Sequence, residues 1–300
     1  MWPCSRVEFE RVAGGGNVMT APTVRRRRLG LELKRLRENA KLTLEDVGNQ
    51  SGLSASKISR IESATRGART ADVERLLGIY GVTDRDSDLA KFLLILARDG
   101  GKRGWWQTYD LSPVYADLIG LEADASSVNT FEPLLIPGLL QTAAYARAVI
   151  GAMSMTATDE EIAPLVEVRM ARQSTLTQPQ PLKLRAIIHE AALMARTPDP
   201  GVMRDQMQRL LDLAVYPHVG IQVLPLGAEL NPGGGGGFTT LGFGQPGLDV
   251  VLLEHLDSSL YIEEPTEVER YAEAYERLTA SALPFDESLS LIASRKGTSA

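Results

Sequence analysis

The spacing of apolar residues in the first hundred positions predicts several short amphipathic helices. Leu29, Leu33 and Leu36 recur at intervals of four and three residues, which places them on one face of a helix spanning about 24–40. Shorter stripes with the same period follow over 44–51, 55–62, 73–80 and 89–96. We therefore predict a compact, mainly α-helical head of five helices in the N-terminal part of the chain.

The segment 43–62 carries start and stop signals for two consecutive helices. Thr43 and Asp46, three residues apart, form a capping-box pair, and Gly52 suits the left-handed position that ends a helix. Ser54 is then suited to cap a second helix. Two such helices joined by a tight turn form a helix-turn-helix, with helix 2 at about 44–51 and the recognition helix at about 55–62.

The outward face of the recognition helix carries short, polar or basic side chains. Such a face fits the major groove of DNA, where side chains contact base edges. The alternative is an ordinary helical hairpin with a polar surface, but a glycine, two caps and four apolar positions agree in one register. We expect base contacts from four residues, with Arg60 the best candidate for a guanine: Ser54, Ser56, Lys57 and Arg60.

Charge is distributed unevenly along the chain. Residues 25–69 hold twelve Lys and Arg against five Asp and Glu, a net charge of +7, whereas residues 70–300 carry −13 and the whole chain −6. A basic segment that coincides with the helix-turn-helix indicates a DNA-binding head on a body that DNA repels. The expected phosphate contacts are Arg25, Arg26, Arg27, Arg28, Lys41, Thr43, Arg66 and Arg69.

The run Arg25 to Arg28 has a second interpretation. Cations at the start of a helix oppose its dipole, so the run is also consistent with four arginine charges that only repel one another and bind nothing. We favour DNA contact, either along a phosphate backbone or in a minor groove.

Strands and helices are interspersed after position 112, without regular βαβ alternation. We predict strands near 127–131, 182–188, 219–224, 238–243, 250–254 and 259–262, with helices between and after them, and assign an α+β domain to 113–296. Residues 1–24 are predicted to be a disordered leader, 25–82 the DNA-binding head, and 83–112 a connector with an aromatic cluster at Trp105 and Trp106. Those rings suit domain packing better than base stacking.

Composition limits the remaining chemistry. The single Cys4 excludes a disulfide framework, and His189, His218 and His255 lack metal-ligand spacing. Glu190 is interpreted either as a cap for the next helix, which we favour, or as an acid that holds a cationic ligand. The glycine run 233–237 lacks the context of a phosphate loop and is predicted to be a flexible hairpin loop. We expect no cofactor, no metal and no enzymatic activity.

Apolar runs fall short of the roughly 18 residues that a membrane span requires, and the first residues lack the apolar core of a signal peptide. We therefore expect a cytoplasmic protein that does not bind membranes. Met19 is a candidate for the true start of translation. Because one head has a small interface, we expect a homodimer that contacts two half-sites on DNA.

The motif in the head resembles the Cro/C1-type (Xre) family of DNA-binding domains. The matching positions are Thr43, Glu45, Val47, 51–54 and 58–62. The sequence departs from the family pattern at Leu44, Gly48, Ala55 and Ala64. Leu44 and Ala55 stand where relatives often carry DNA-contacting side chains, so fewer base contacts are expected here.

The body resembles the C-terminal domain that follows such heads in actinobacterial regulators, above all in Streptomyces. The most specific of the matching segments is IPGLLQT, residues 136–142. The resemblance implies a regulator of development, secondary metabolism or stress. It also implies an alternative function, an antitoxin-like protein that captures a small protein encoded by the adjacent gene. An enzyme tethered to DNA is a third possibility, for which the sequence offers no catalytic constellation.

Overall fold

The computed structural model describes residues 23–84, 86–99, 105–154, 156–244, 247–256 and 258–298. The predicted leader therefore lies outside the described residues except for its last two positions, and Met19 lies outside them as well. The described chain forms a helical head followed by a body built on one sheet, which confirms the predicted fold class.

Five helices make up the head. They are α1 (Val24–Asn39), α2 (Leu44–Ser51), α3 (Ala55–Glu62), α4 (Thr70–Ile79) and α5 (Asp88–Asp99). Thr43 and Asp46 form the expected capping box, Gly52 adopts a φ of 68° after α2, and Ser54 accepts a hydrogen bond from the backbone of Lys57. Arg69 precedes α4, and its side chain makes no capping hydrogen bond.

The body contains seven helices in its described part. These are α6 (Pro113–Asp124), α7 (Ala143–Met153), α8 (Asp159–Arg172), α9 (Glu190–Leu193), α10 (Pro200–Leu213), α11 (Pro265–Ser281) and α12 (Phe285–Thr298). The strands are β1 (Ser127–Glu132), β2 (Lys183–His189), β3 (Val219–Leu224), β4 (Phe238–Gly242), β5 (Val250–Glu254) and β6 (Ser259–Ile262).

The six strands form one mixed sheet in the order β3-β2-β1-β4-β5-β6. Strands β1, β2 and β3 are parallel and are joined by helical crossovers, whereas β4, β5 and β6 are antiparallel. The parallel half of the sheet was not predicted from the sequence. The prediction for 233–237 was also wrong, because this segment joins β3 to β4, which are not neighbours, and so is not a hairpin loop.

Successive side chains of β1 point to opposite faces of the sheet, so the body has two layers. Val128 of β1 and Leu184 of β2 lie in the main core, on the face that α6 covers. Phe131 and Phe238 point to the other side, where they pack with Val268 and Leu278 of α11. The sheet is therefore covered on both faces, and the core on the α6 face continues into the head.

Head and body share a single hydrophobic core. Buried residues run without interruption from Leu33 and Leu76 in the head to Leu118 and Leu121 on α6. Helix α5, which falls within the predicted connector 83–112, packs against α1 and α4. The Phe92 ring of α5 lies 5.3 Å from the Phe243 ring of the body. The body therefore holds the head in one orientation.

The predicted aromatic cluster forms a short 3-10 turn, Trp105–Thr108, just before α6. Trp105 and Trp106 meet edge to face with ring centroids 5.8 Å apart, and Tyr109 packs against Trp105 in the same manner. Trp105 remains 41% exposed. The cluster adjoins α6.

Candidate nucleic-acid interface

The recognition helix α3 presents one polar face to solvent. Ser54, Ser56 and Arg60 are exposed, while Ile58 and Ile61 on the opposite side are buried in the core of the head. The Arg60 Nε donates to the carbonyl oxygen of Ser56 at 3.2 Å, one turn earlier. Three of the four expected base-contacting side chains are therefore accessible from one direction.

Lys57 is the exception among the expected base contacts. Its Nζ lies 2.7 Å from Asp72 Oδ2 on α4, and both side chains are largely buried. The ammonium group therefore ties α3 to α4. A base contact from Lys57 stays a prediction, and it requires this ion pair to open.

Helix α3 is held in place by Arg37 of α1. The Arg37 guanidinium donates twice to the Glu62 carboxylate, at 2.8 and 2.9 Å, and once to the carbonyl oxygen of Leu42 at 2.9 Å. The Glu62 hydrogen bonds raise the pKa of Arg37. Sequence analysis missed this pair, although a single acid ending an otherwise basic recognition helix was the available signal.

Four of the expected phosphate contacts lie in the turn before α2 and in the loop after α3. Lys41, Thr43, Arg66 and Arg69 are all exposed. Lys41 adopts a left-handed backbone with a φ of 58°. No side chain caps α4, and helix N-termini favour anions such as phosphate. The loop 63–69 thus places two cations beside that helix end.

The run Arg25 to Arg28 is directed differently. Arg25 Nη2 lies 2.5 Å from the carbonyl oxygen of Gly120 and 2.6 Å from Asp124 Oδ2, both on α6. The Arg27 Nε donates to Glu263 Oε1 at 3.0 Å. These two guanidinium groups therefore bind the body.

Arg28 also faces the body. It is 4% exposed and donates to the carbonyl oxygen of Gly247 at 2.8 Å, and burial lowers the pKa of its guanidinium. Acidic and carbonyl groups of the body already bind Arg25, Arg27 and Arg28, so the phosphate role expected for them stays a prediction that requires these contacts to open. Arg26 stays a candidate, since its guanidinium lies beside Gly67 in the loop 63–69.

A pair of matched substitutions distinguishes the two kinds of arginine. Arg66→Gln is expected to reduce the slope of log binding constant against log salt by about 1, as one lost phosphate contact does. Arg25→Gln is expected to leave the slope unchanged and to lower the free energy of unfolding by about 2 kcal/mol, because it loses charged hydrogen bonds. Fluorescence anisotropy on a random duplex measures the salt slope, and urea denaturation measures the free energy of unfolding. Equal changes in slope would contradict this assignment.

The remaining chemical candidates in the body have structural partners. Glu190 accepts a hydrogen bond from the Leu226 backbone at 3.0 Å and from Arg295 at 2.5 Å, while His189 caps α9 instead. The favoured interpretation of Glu190 as a helix cap is thus wrong, and the alternative, an acid that holds a cationic ligand, stays a prediction that requires Arg295 to move away. A ring nitrogen of His218 lies 2.8 Å from the carbonyl oxygen of Leu176.

Among the described residues, no group of three or more His, Cys, Asp or Glu side chains is arranged to hold a metal ion. None of the helices in that part of the chain combines the length and the apolar character needed to cross a membrane.

Comparison with known proteins gives two matches along the chain. Residues 28–90 match a helix-turn-helix domain, and residues 115–294 match a domain of unknown function, DUF5753. The first match covers α2 and α3 together with most of the head, and the second covers nearly the whole body. No curated protein and no solved structure showed significant similarity to the chain.

Proposed function

Because the chain belongs to the DUF5753 family and carries a helix-turn-helix domain before that region, we propose that it is a sequence-specific DNA-binding transcriptional regulator. The observation that supports this most strongly is the exposed polar face of α3, which the Arg37–Glu62 pair holds rigidly. A preorganised helix loses little conformational entropy when it enters a groove. In this proposal Ser54, Ser56 and Arg60 contact base edges.

Within helix-turn-helix proteins, we assign the chain to the Xre-type, Cro/C1-like regulators of actinobacteria. This assignment rests on the motif of residues 43–62, whose caps and helix lengths suit that type of head. We further propose that the protein acts in the cytoplasm as a homodimer. A helix of eight residues contacts only a few base pairs, and two copies supply the affinity that one lacks.

Substitution of Arg60 tests the proposal. On duplexes selected from a random pool by the wild-type protein, Arg60→Ala is expected to cost about 1–3 kcal/mol, roughly 5- to 150-fold in affinity. On unselected duplexes the loss is expected to be much smaller, since only one charge is removed.

Arg270→Ala provides the matched control, because Arg270 is an exposed arginine on α11 of the body. Its affinity for selected duplexes is expected to equal that of the wild type. The proposal that Arg60 contacts bases would be wrong if Arg60→Ala weakened binding to selected and random duplexes equally.

A second candidate function is capture of a small basic protein encoded by the adjacent gene, with autoregulation through the head. The observation that favours it is a row of exposed carboxylates along α11, Glu267, Glu269, Glu273 and Glu276. Co-expression with the adjacent gene product should then yield a complex that charge reversal at Glu273 and Glu276 dissociates. Separate elution of the two wild-type proteins would reject this function.

A further inference from the structure

The last strand of the sheet, β6, has an open edge. It follows β5 in the strand order and has no strand on its other side within the described sheet. Among the described residues, β5 is the only element in extensive contact with β6. None of its four residues, Ser259–Ile262, is buried, and Leu260 is 56% exposed. An edge strand of this kind offers unpaired backbone groups to another strand.

The opposite edge of the same sheet is covered by the chain itself. The backbone N–H of Leu283 donates to the carbonyl oxygen of Val223 in β3 at 2.8 Å, and the Ser288 hydroxyl accepts from the Val223 N–H at 2.9 Å. In the described part of the chain, β6 has no equivalent partner. It also lacks the proline or charged residue that commonly protects an exposed edge.

The turn between β5 and β6 shows which backbone groups face the free edge. The N–H of His255 donates to the carbonyl oxygen of Ser258 at 2.8 Å, so these two residues form a hydrogen-bonded pair. Such pairs alternate with non-hydrogen-bonded pairs along antiparallel strands, and the pairing continues in register into β6. The N–H and C=O groups of Ser259 and Tyr261 therefore point away from β5.

The side chains of β6 leave one core of the body incompletely covered. Leu260 lies opposite Leu253 of β5, and Leu253 packs against the core that contains Phe131 and Val268 beneath α11. Ile262 packs against the same core. Because Leu260 is exposed on this face, the apolar layer ends at the free edge without a cover. A strand added here would complete it.

We propose that β6 pairs antiparallel with β6 of a second copy of the chain, about a two-fold axis at Tyr261. The two sheets would then form one continuous sheet. This inference rests on the homodimer of the proposed function and assigns its interface. A two-fold interface needs one surface that is complementary to itself, and an antiparallel pair of identical strands meets that condition.

The resulting register suits a second copy. About an axis at Tyr261, Leu260 of each chain lies opposite Ile262 of the partner, on the face that α11 covers. Apolar pairs directly opposite each other stabilise a sheet. Glu263 and Glu264, which follow the strand, lie opposite two serines of the partner. Like charges therefore do not meet along this stretch.

Two further apolar side chains belong to the same edge. Val114 at the start of α6 is exposed and lies beside β6, since the Tyr261 hydroxyl donates to its carbonyl oxygen at 2.9 Å. Leu256, in the turn that precedes β6, is exposed as well. They add area to the short strand, which is needed because a specific interface buries about 800 Å² on each partner.

Sedimentation equilibrium of the full-length protein without DNA, over a series of protein concentrations, tests the interface. The wild type is expected to dimerise. Leu260→Lys is expected to raise the dissociation constant of the dimer by about tenfold or more, because it replaces two apolar cross-strand contacts and puts a charge on the edge. Leu226→Lys is the matched control, since Leu226 is 55% exposed in the loop after β3, and it should dimerise like the wild type.

A backbone variant and a cross-link provide independent readouts. Ser259→Pro removes an N–H group that faces the partner and none that bonds β5, so it should also weaken the dimer while the circular dichroism spectrum stays unchanged. With Cys4 replaced by serine, Leu260→Cys should be cross-linked to its copy by a short bismaleimide, because diagonal neighbours in a sheet lie about 7–8 Å apart. Leu226→Cys should not be cross-linked.

A wild-type protein that stays monomeric at every concentration would overturn the proposal. So would a folded Leu260→Lys protein that dimerises as tightly as the wild type, although the homodimer of the proposed function would then stand through another surface. DNA binding is measured separately. A dimer that is sensitive to Leu260→Lys and ignores DNA would contradict the proposed regulator and support this interface.

Discussion

Replacing Gly30 by alanine is expected to lower the free energy of unfolding by about 2–3 kcal/mol, as overpacking of a tight contact does. A Cβ atom at this position would lie 2.7 Å from the carbonyl oxygen of Ile61 and would also contact that of Glu62. Both acceptors belong to the backbone at the end of α3, so no side chain can move aside. Helices α1 and α3 would have to separate, and the Arg37–Glu62 pair would be strained.

Gly78 offers a matched control within the same head. It lies on α4, and a Cβ atom there would meet nothing within 4 Å. Gly78→Ala is therefore expected to stabilise the protein by about 0.5–1 kcal/mol, because alanine loses less backbone entropy on folding. Urea denaturation followed by circular dichroism compares the two variants. The close packing of α1 on α3 would be refuted if both alanines shifted the midpoint in the same direction.

Replacing Arg172 by methionine is expected to cost about 3–5 kcal/mol, the typical effect of breaking a buried ion pair by removing one partner. Glu122 would remain in the interior without its ion-pair partner. Burial and the nearby Glu254 raise the pKa of Glu122, whereas Arg172 and, to a smaller extent, Arg169 lower it. The side chain also occupies space beside Gly138, where a Cβ atom would lie 2.7 Å from Arg172 Nη2.

The pH dependence of this effect has a defined sign. Without Arg172, the pKa of Glu122 rises further, and its protonation at low pH removes the buried charge. The stability deficit of Arg172→Met relative to the wild type should therefore be largest near pH 8 and shrink as the pH falls. The exposed Arg204 of α10 serves as the control, and Arg204→Met should change stability by less than about 0.5 kcal/mol. A deficit that does not vary with pH would argue against an uncompensated Glu122.

Local signals explain why much of the secondary structure could be predicted. The bounds of α2 and α3 agree with the prediction, because Thr43, Gly52 and Ser54 act on residues within one helical turn of themselves. Strands β3, β5 and β6 also begin and end where predicted, since each is a short apolar run between polar or turn-forming residues. These signals depend only on neighbours in the sequence.

The corrections arise from contacts between distant parts of the chain. Arg27 meets Glu263, 236 residues away, and Arg295 meets Glu190, 105 residues away. A run of arginines that binds body carboxylates has the same sequence as one that binds phosphates. The Glu122–Arg172 ion pair was not predicted for the same reason, because α6 and α8 meet only in the folded body.

The most direct test of the account is site-specific photo-cross-linking to DNA, since its central claim is that the exposed face of α3 lies against the duplex. With Cys4 replaced by serine, Ser56→Cys and Ser290→Cys would each carry the same photoactivatable group, the first on α3 and the second on the exposed side of α12. Irradiation with selected duplex DNA is expected to cross-link the protein labelled at position 56 and not the protein labelled at position 290. Cross-links from position 290 alone, or from neither position under conditions where the duplex is bound, would contradict the account.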